Sequence, residues 1–320
     1  MTVWATVELA RHPDRPYSLD YIELLCDEFV ELHGDRAGAD DPAIVGGPAR
    51  IDGNSVMVIA QQKGRTQAER IARNYGMAHP WGYRKALRLM RQAERFGLPL
   101  VTLIDTSGAY PGVDAERTGQ AWAISECLTT MAQLPLPIVA VIIGEGGSGG
   151  ALALAVADRT LMLEHAIYSV ASPEAAASIT WRDSGRKRSA AAALGLTSAD
   201  ALRLHIIDEV IAEPEPAHLA PAETAASLKE AVVRHLAELK GTDPQPLSRM
   251  ARLSPALAAT LRPGSSTVPA AEAVIAGTHR FSIATRPWFL ARSQEVWWAK
   301  SRRRLVARWW RRAIFPQVAR

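Results

Sequence analysis

The stretch Gly144-Glu145-Gly146-Gly147-Ser148-Gly149-Gly150 packs five glycines into seven residues. It follows the apolar run Leu136 to Ile143 and precedes a helix of small residues, Ala151 to Val156. A strand-to-helix turn of this kind ends in amide N–H groups without helical acceptors and in the positive end of the helix dipole. Without Cβ atoms in the way, an anionic atom can reach those amides. Three chemistries fit. Gly144-x-Gly146-x-x-Gly149 has the spacing of a dinucleotide fingerprint, with Glu164 twenty residues on. Gly146-Gly147-Ser148-Gly149-Gly150 has the G-x-S-x-G form of a nucleophile elbow, with Asp208 and then His218 or His235 in order downstream of Ser148. The third is an oxyanion site with no covalent role. It calls for a second turn of the same kind, since two substrates meet in a group transfer. Asp105-Thr106-Ser107-Gly108-Ala109-Tyr110-Pro111-Gly112 supplies one, after a buried strand and before a helix.

The elements that must hold these turns follow from hydrophobic periodicity. Leu19, Ile22, Leu24, Leu25, Phe29 and Leu32 predict a helix over 17–36, stopped at Gly34. Ala43 to Ile51 and Ser55 to Gln61 read as strands of a hairpin closed at Asp52-Gly53-Asn54. Residues 64–76 read as an exposed loop or short helix, and Trp81 to Phe96 as a helix. Leu98 to Ile104, Leu136 to Ile143 and Arg159 to Glu164 are apolar strands, separated by helices at Glu116 to Met131 and Ala151 to Val156. That alternation predicts an α/β fold with a sheet covered on both faces. Residues 173–210 read as helical, and Glu223 to Leu239 as an amphipathic helix.

Composition removes other classes. Cys26 and Cys127 lie far apart, so neither a disulfide framework nor a zinc site is indicated. No apolar stretch is long enough to span a membrane, and the first sixteen residues do not read as a secretory signal; the cytoplasm is the expected compartment. Residues 286–320 hold ten Lys or Arg and one acid, Glu295, against 27 basic and 32 acidic residues before them. The organisation read from this is a domain over 1–240, a linker-like stretch with marginal helix over 241–287, and a basic Trp/Arg-rich tail over 288–320.

Several long motifs, in order, resemble the alpha subunit of the bacterial acetyl-CoA carboxylase carboxyltransferase. They include A-R-H-P-D-R-P-Y-S-L-D-Y-I (10–22), G-D-R-A-G-A-D-D-P-A-I-V-G-G (34–47), R-N-Y-G-M-A-H-P-W-G-Y-R-K-A-L-R-L-M (73–90), I-D-T-S-G-A-Y-P-G (104–112), G-E-G-G-S-G-G-A-L-A (144–153) and Y-S-V-A-S-P-E (168–174). The resemblance implies a crotonase-like ββα spiral forming one carboxyltransferase domain with a C-terminal extension. It implies an α2β2 heterotetramer with a zinc-bearing beta subunit, working with a biotin carboxyl carrier protein and an ATP-using biotin carboxylase. The substrates would be carboxybiotin on its carrier and acetyl-CoA, and the product malonyl-CoA for fatty acid synthesis. This chain would bind no cofactor covalently, no metal and no nucleic acid. Carried onto this sequence, the amides of Gly149 and Gly150 form the biotin oxyanion hole, Gly146 and Gly147 shape the turn, and Gly108, Ala109 and Tyr110 line the cavity. Lys63 and Arg65, with the basic stretch Arg73 to Lys85, are expected to meet phosphates of coenzyme A or the carrier, or else to be a solvated face. His79 is read as a packing residue and Glu174 as a first-turn helix acid.

Departures from the family pattern are local. Ser107 stands where the D-T-P-G-A-Y motif has proline, and Ala175-Ala176 stand where Gly-Cys is usual. The helical segment that usually opens the family is missing, and the stretch after 241 has no counterpart. The basic aromatic tail suits docking on a partner or a membrane surface. Rivals from other classes are a serine hydrolase using Ser148, a carboxyltransferase for another acyl-CoA, and a non-catalytic scaffold.

Overall fold

The computed structural model describes residues 1–241. The 288–320 tail, and all of the 241–287 stretch except Gly241, lie outside the described residues. The chain begins with helix α1 (Val3–Ala10) and α2 (Ser18–Leu25), then a two-residue strand β1 (Glu28–Phe29) and the hairpin β2 (Ile44–Ile51) and β3 (Asn54–Gln61). After α3 (Gln67–Ala72) and α4 (Pro80–Phe96) come β4 (Leu100–Thr106), α5 (Val113–Arg117), α6 (Gln120–Gln133), β5 (Ile138–Gly147) and the five-residue α7 (Ser148–Leu152). The remainder is β6 (Arg159–Leu163), β7 (Ile167–Ser169), α8 (Pro173–Trp181), α9 (Lys187–Leu194), α10 (Ser198–Arg203), β8 (Glu209–Ile211) and α11 (Pro221–Leu239).

The strands form one sheet in the order β1-β2-β3-β4-β5-β6-β8, with β7 paired to the far half of β5. β1, β2 and β3 are antiparallel, and every pairing from β3 onward is parallel. The α/β fold is as expected, and its sheet is mixed. All seven residues of β4 and all ten of β5 are buried, as they must be in a sheet covered on both faces. α4 and α6 pack together, with α4 over β2 and β3; α2 and α11 pack together against β4, β5 and β8. The hairpin turn carries left-handed Asp52 (φ 48°) and Gly53 (φ 74°), the pairing a tight two-residue loop needs to match strand twist. Among the described residues no helix is long and apolar enough to cross a membrane.

The structure corrects several boundaries. The helix predicted over 17–36 ends at Leu25. From Glu28 the chain runs extended along β2, with Val30 N donating to Pro48 O (3.0 Å) and Leu32 N to Gly46 O (2.9 Å). The sheet edge needed a neighbour, and apolar residues of helical spacing served a strand equally well. The helix predicted over 116–131 is two helices, broken at Gly119 (φ 91°). The helical region 173–210 is three helices, followed by β8. The glycine stretch is not wholly a turn: Gly144 to Gly147 belong to β5, and the helix after it ends at Leu152 rather than Val156.

A buried ion pair ties the start of the chain to its far end. Arg15, fully buried, donates through Nε to the carbonyl of Ile143 (2.9 Å) and through Nη1 and Nη2 to both oxygens of Glu213 (3.0 and 2.7 Å).

Candidate active site

The two turns singled out by sequence lie side by side at the carboxyl ends of β4 and β5. Their contact is backbone on backbone. A Cβ at Gly147 would lie 2.1 Å from the carbonyl oxygen of Ser107, and one at Gly150 would lie 2.4 Å from the amide nitrogen of Ala109. Thr106 Oγ1 closes the first turn, donating to Gly108 O (2.7 Å) and accepting from Gly108 N (3.1 Å). Gln61 secures the second turn by donating to Gly150 O (2.7 Å). Gly149 differs from its neighbours: a Cβ there would meet nothing nearer than Ile124 at 3.9 Å. The N–H groups of Gly149 and Gly150 stand in the first turn of α7, where no helical acceptor exists, and among the described residues no other acceptor is seated on them.

Between the strands, the register shifts from Ile104↔Ile142 to Thr106↔Gly146. Asp105 occupies this bulge. Its Oδ1 accepts from the amide of Glu145 (2.9 Å), and the space beside it exists because Gly144 has no side chain: a Cβ there would lie 2.5 Å from that oxygen. From Asp105 a line of alternating charges runs under both turns. Lys63 Nζ sits 2.7 Å from Asp105 and 2.9 Å from Glu145. Glu145 also accepts from Arg11 Nε (2.7 Å), and Arg11 Nη1 donates to Glu174 (2.9 Å). Burial opposes charge on all of these groups, and burial alone would raise Glu145. Lys63 and Arg11 outweigh it and hold the Glu145 carboxyl down at about 2. Burial wins at Asp105, which is raised despite Lys63, and the two acids together raise Lys63.

A groove opens beside this line. Its walls include Gly146, Gly147 and Ser107 on the turn side and Ala171 to Pro173 at the start of α8, with Arg11 at one end. Gly149, Gly150, Gly108 and Ala109 are outside its lining.

Lys63 is therefore turned inward between two carboxylates rather than toward solvent or phosphate. Arg65 pairs with Asp20 and lies over the ring of Tyr17. Lys85, from the same basic stretch, is fully buried against Asp40 and the carbonyl of Ile44. Tyr110 is half-buried, its ring stacked on His79 (4.0 Å between centroids), which stacks in turn on Trp81 (4.7 Å). Glu174 does open a helix, but its carboxylate is held by Arg11. Neither sequence reading of the charges found this network. The available signal was an acid at the end of each apolar strand, Asp105 and Glu145, where burial demands a cation.

Ser148 has φ 54°, an uncommon backbone for a residue with a side chain. The hydrolase reading fails on distance. Asp208 is level with Thr160 on β6, and hence with Ala140 on β5. Ser148 lies eight residues further along, about 25 Å at strand rise. His235 pairs with Glu209 (2.7 Å) at that same remote end, and His218 stacks on His12 (3.8 Å). The dinucleotide reading fails too. Two of its glycines, Gly144 and Gly146, are in extended strand, and Glu164 accepts from the amide of Glu213 (2.9 Å).

The paired turns stand at the carboxyl ends of neighbouring parallel strands of a mixed α/β sheet. Residues 1–254 match the profile of the acetyl co-enzyme A carboxylase carboxyltransferase-like family, and the chain belongs to that family. It is 56 % identical over 241 residues to the acetyl-coenzyme A carboxylase carboxyl transferase subunit alpha of Stenotrophomonas maltophilia, covering 75 % of this chain and 76 % of that one. It is 62 % identical over 237 residues to the beta/alpha subunits protein of Salinispora arenicola, covering 74 % of this chain; it spans only 42 % of that relative. Among solved structures it is similar in fold to transcarboxylase 12S (TM-score 0.60, 21 % identity, 80 % of this chain and 44 % of that one). It is also similar to a Pseudomonas malonate decarboxylase hetero-tetramer (TM-score 0.58, 18 % identity, 72 % and 91 %).

Proposed function

We propose that this chain is the alpha-type half of a biotin-dependent carboxyltransferase, moving the carboxyl group of carboxybiotin to acetyl-CoA to give malonyl-CoA. The observation that carries the reading is the open pair of amides at Gly149 and Gly150, braced by the sister turn. In the reaction the N–CO2 bond of carboxybiotin breaks, leaving CO2 and a ureido oxyanion. The amides of Gly149 and Gly150 donate hydrogen bonds to that oxyanion, with Gly146 and Gly147 shaping the approach and Gly108, Ala109 and Tyr110 bordering it. The ureido nitrogen takes the proton lost from the acetyl α-carbon, and the resulting enolate attacks CO2 to form the new C–C bond. No side chain of this chain has to act as base. The charged groups beside the turns support that view, because Lys63, Asp105, Glu145 and Arg11 are all engaged with one another.

The second oxyanion, the enolate, belongs to a beta-type partner that would carry the zinc, in an α2β2 assembly served by the biotin carrier and biotin carboxylase in the cytoplasm. The fused beta/alpha relative from Salinispora supports a partner of this kind. The test is reconstitution. The chain alone should form no malonyl-CoA from carboxybiotin and acetyl-CoA, and addition of the cognate beta subunit should start turnover. A complex that carboxylates propionyl-CoA in preference would move the assignment to another acyl-CoA. A complex with no carboxyl transfer at all would sink it.

A further inference from the structure

Residues 1–241 hold 23 Lys and Arg against 30 Asp and Glu, so the described body is acidic. Many of its cations face carboxylates, as do Arg11, Lys63, Arg65, Lys85, Lys229 and Arg234. The stretch that runs from the end of α8 into the first turn of α9 is set apart by the density of its charge. Arg182-Asp183-Ser184-Gly185-Arg186-Lys187-Arg188 has four cations in seven residues; the three arginines are exposed and Lys187 is half-buried. None of the four forms an ion pair among the described residues. The single acid, Asp183, turns its carboxylate onto the amide of Gly185 (2.9 Å). Three of the four lie over aromatic rings. Arg186 lies 4.4 Å from the ring centroid of Trp181, and Lys187 and Arg188 lie 5.0 and 5.9 Å from that of Trp4.

This loop sits beside the candidate active site. α8 begins at the groove wall, with Pro173 in its lining, and ends at Trp181. Nine helical residues cover only about 13 Å. Against burial, Arg11 holds the carboxyl of Glu174, in the first turn of α8, below its ordinary range, and Lys187 adds a smaller attraction. Unpaired cations on a rim raise the local concentration of anions and steer their approach.

We propose that the 182–188 segment is the docking surface for an acidic face of the protein domain that brings biotin to the paired turns. The proposal rests on the carboxyltransferase reading above and names where one of its substrates lands. A group delivered on a protein reaches the turns while the body of its carrier stays on the rim, and the rim here carries a basic patch that forms no ion pair among the described residues. An extended polyanion fits less well, because beyond the patch it would run along a body with more acids than bases. A compact acidic domain meets the patch alone.

The test uses the full chain in complex with its cognate beta subunit. Carboxyl transfer is run in reverse from malonyl-CoA, with either the biotinylated carrier domain or free biotin as acceptor. Arg182, Arg186 and Arg188 are all changed to Glu. The KM for the carrier domain should rise on the order of tenfold at low salt, while kcat and the KM for free biotin stay unchanged. The difference should shrink at about 0.5 M salt, where the screening length falls to a few ångströms. An unchanged carrier KM overturns the proposal. A rise in the KM for malonyl-CoA alone would assign the patch to coenzyme A phosphates and also overturn it. Loss of oligonucleotide retardation in the variant, with carrier KM unchanged, would assign it to nucleic acid. Should the reversal also impair free-biotin transfer, the three Arg→Gln changes replace it, and a carrier-specific rise must persist there for the proposal to stand. A wild-type complex unable to carboxylate even free biotin refutes the underlying reading, and the docking surface falls with it.

Discussion

A methyl group at Gly149 would come no closer than 3.9 Å to Ile124, whereas one at Gly150 would press to 2.4 Å of the Ala109 nitrogen. The two glycines therefore separate function from packing. Gly149→Ala keeps its N–H but sets a methyl group where the anion must approach, so it should leave the thermal midpoint of the complex nearly unchanged yet lower kcat/KM for carboxybiotin. Gly150→Ala should instead lower expression and melting temperature. Full activity in a well-folded Gly149→Ala complex would refute the oxyanion assignment. The charge line makes two further predictions. The Glu145 carboxyl sits at about 2 in the folded chain, below its ordinary 4.5. The unfolded chain therefore binds the proton more readily, and the stability from this group is whole above about pH 4.5 and lost as pH falls toward 2. Urea midpoints measured across that window should show a flatter acid limb in Glu145→Gln. Lys63→Met would strand two buried carboxylates and should cost about 3–5 kcal/mol in urea unfolding at neutral pH.

At the scale of elements, the hairpin, α4 and the apolar strands were legible because each has one dominant pattern and an unambiguous stop. The segment 26–34 was not. Phe29 and Leu32 continue the helical spacing of α2, and only the unpaired edge of β2, a tertiary fact, makes that segment extended. The glycine stretch shows a similar limit. Its composition marked the site, but Gly144, Gly146, Gly147 and Gly150 are small because of what presses on them: Asp105, Tyr168, Ser107 and the 108–109 backbone. Those neighbours come from distant parts of the chain, so sequence spacing cannot separate a packing glycine from Gly149. The hairpin gives a test at this scale. Gly53 has φ 74° with open space around it, so Gly53→Ala carries only the backbone cost, roughly 1–2 kcal/mol. It should lower the urea midpoint while leaving kcat intact, since the turn lies at the other end of β3 from the site.

For the molecule as a whole, the resemblance carried by the sequence motifs anticipated both the fold and the family, while the internal electrostatics stayed out of reach. A-R-H-P-D-R-P in the N-terminal stretch gives no sign that Arg11 ends at the groove and Arg15 in the core. Their partners, Glu145, Glu174 and Glu213, lie 134 to 198 residues away. Arg15→Met should destabilise the chain by about 3–5 kcal/mol by leaving the buried Glu213 without its guanidinium partner, and adding Glu213→Leu should restore much of that loss. A double change no better than the single one would mean that the carbonyl of Ile143 and the amides on Glu213 carry the effect. The same pair also has a consequence in time. A ribosome adding about 5–20 residues per second needs roughly 10–40 s to travel from codon 15 to codon 213. Throughout that interval the nascent amino-terminal segment lacks its counter-ion, while β2 to β5 have all their mutual pairing partners once residue 147 is made. We predict that it is the last part of the described domain to become resistant to protease during synthesis, and that chains stalled before residue 213 are cleaved near Arg15.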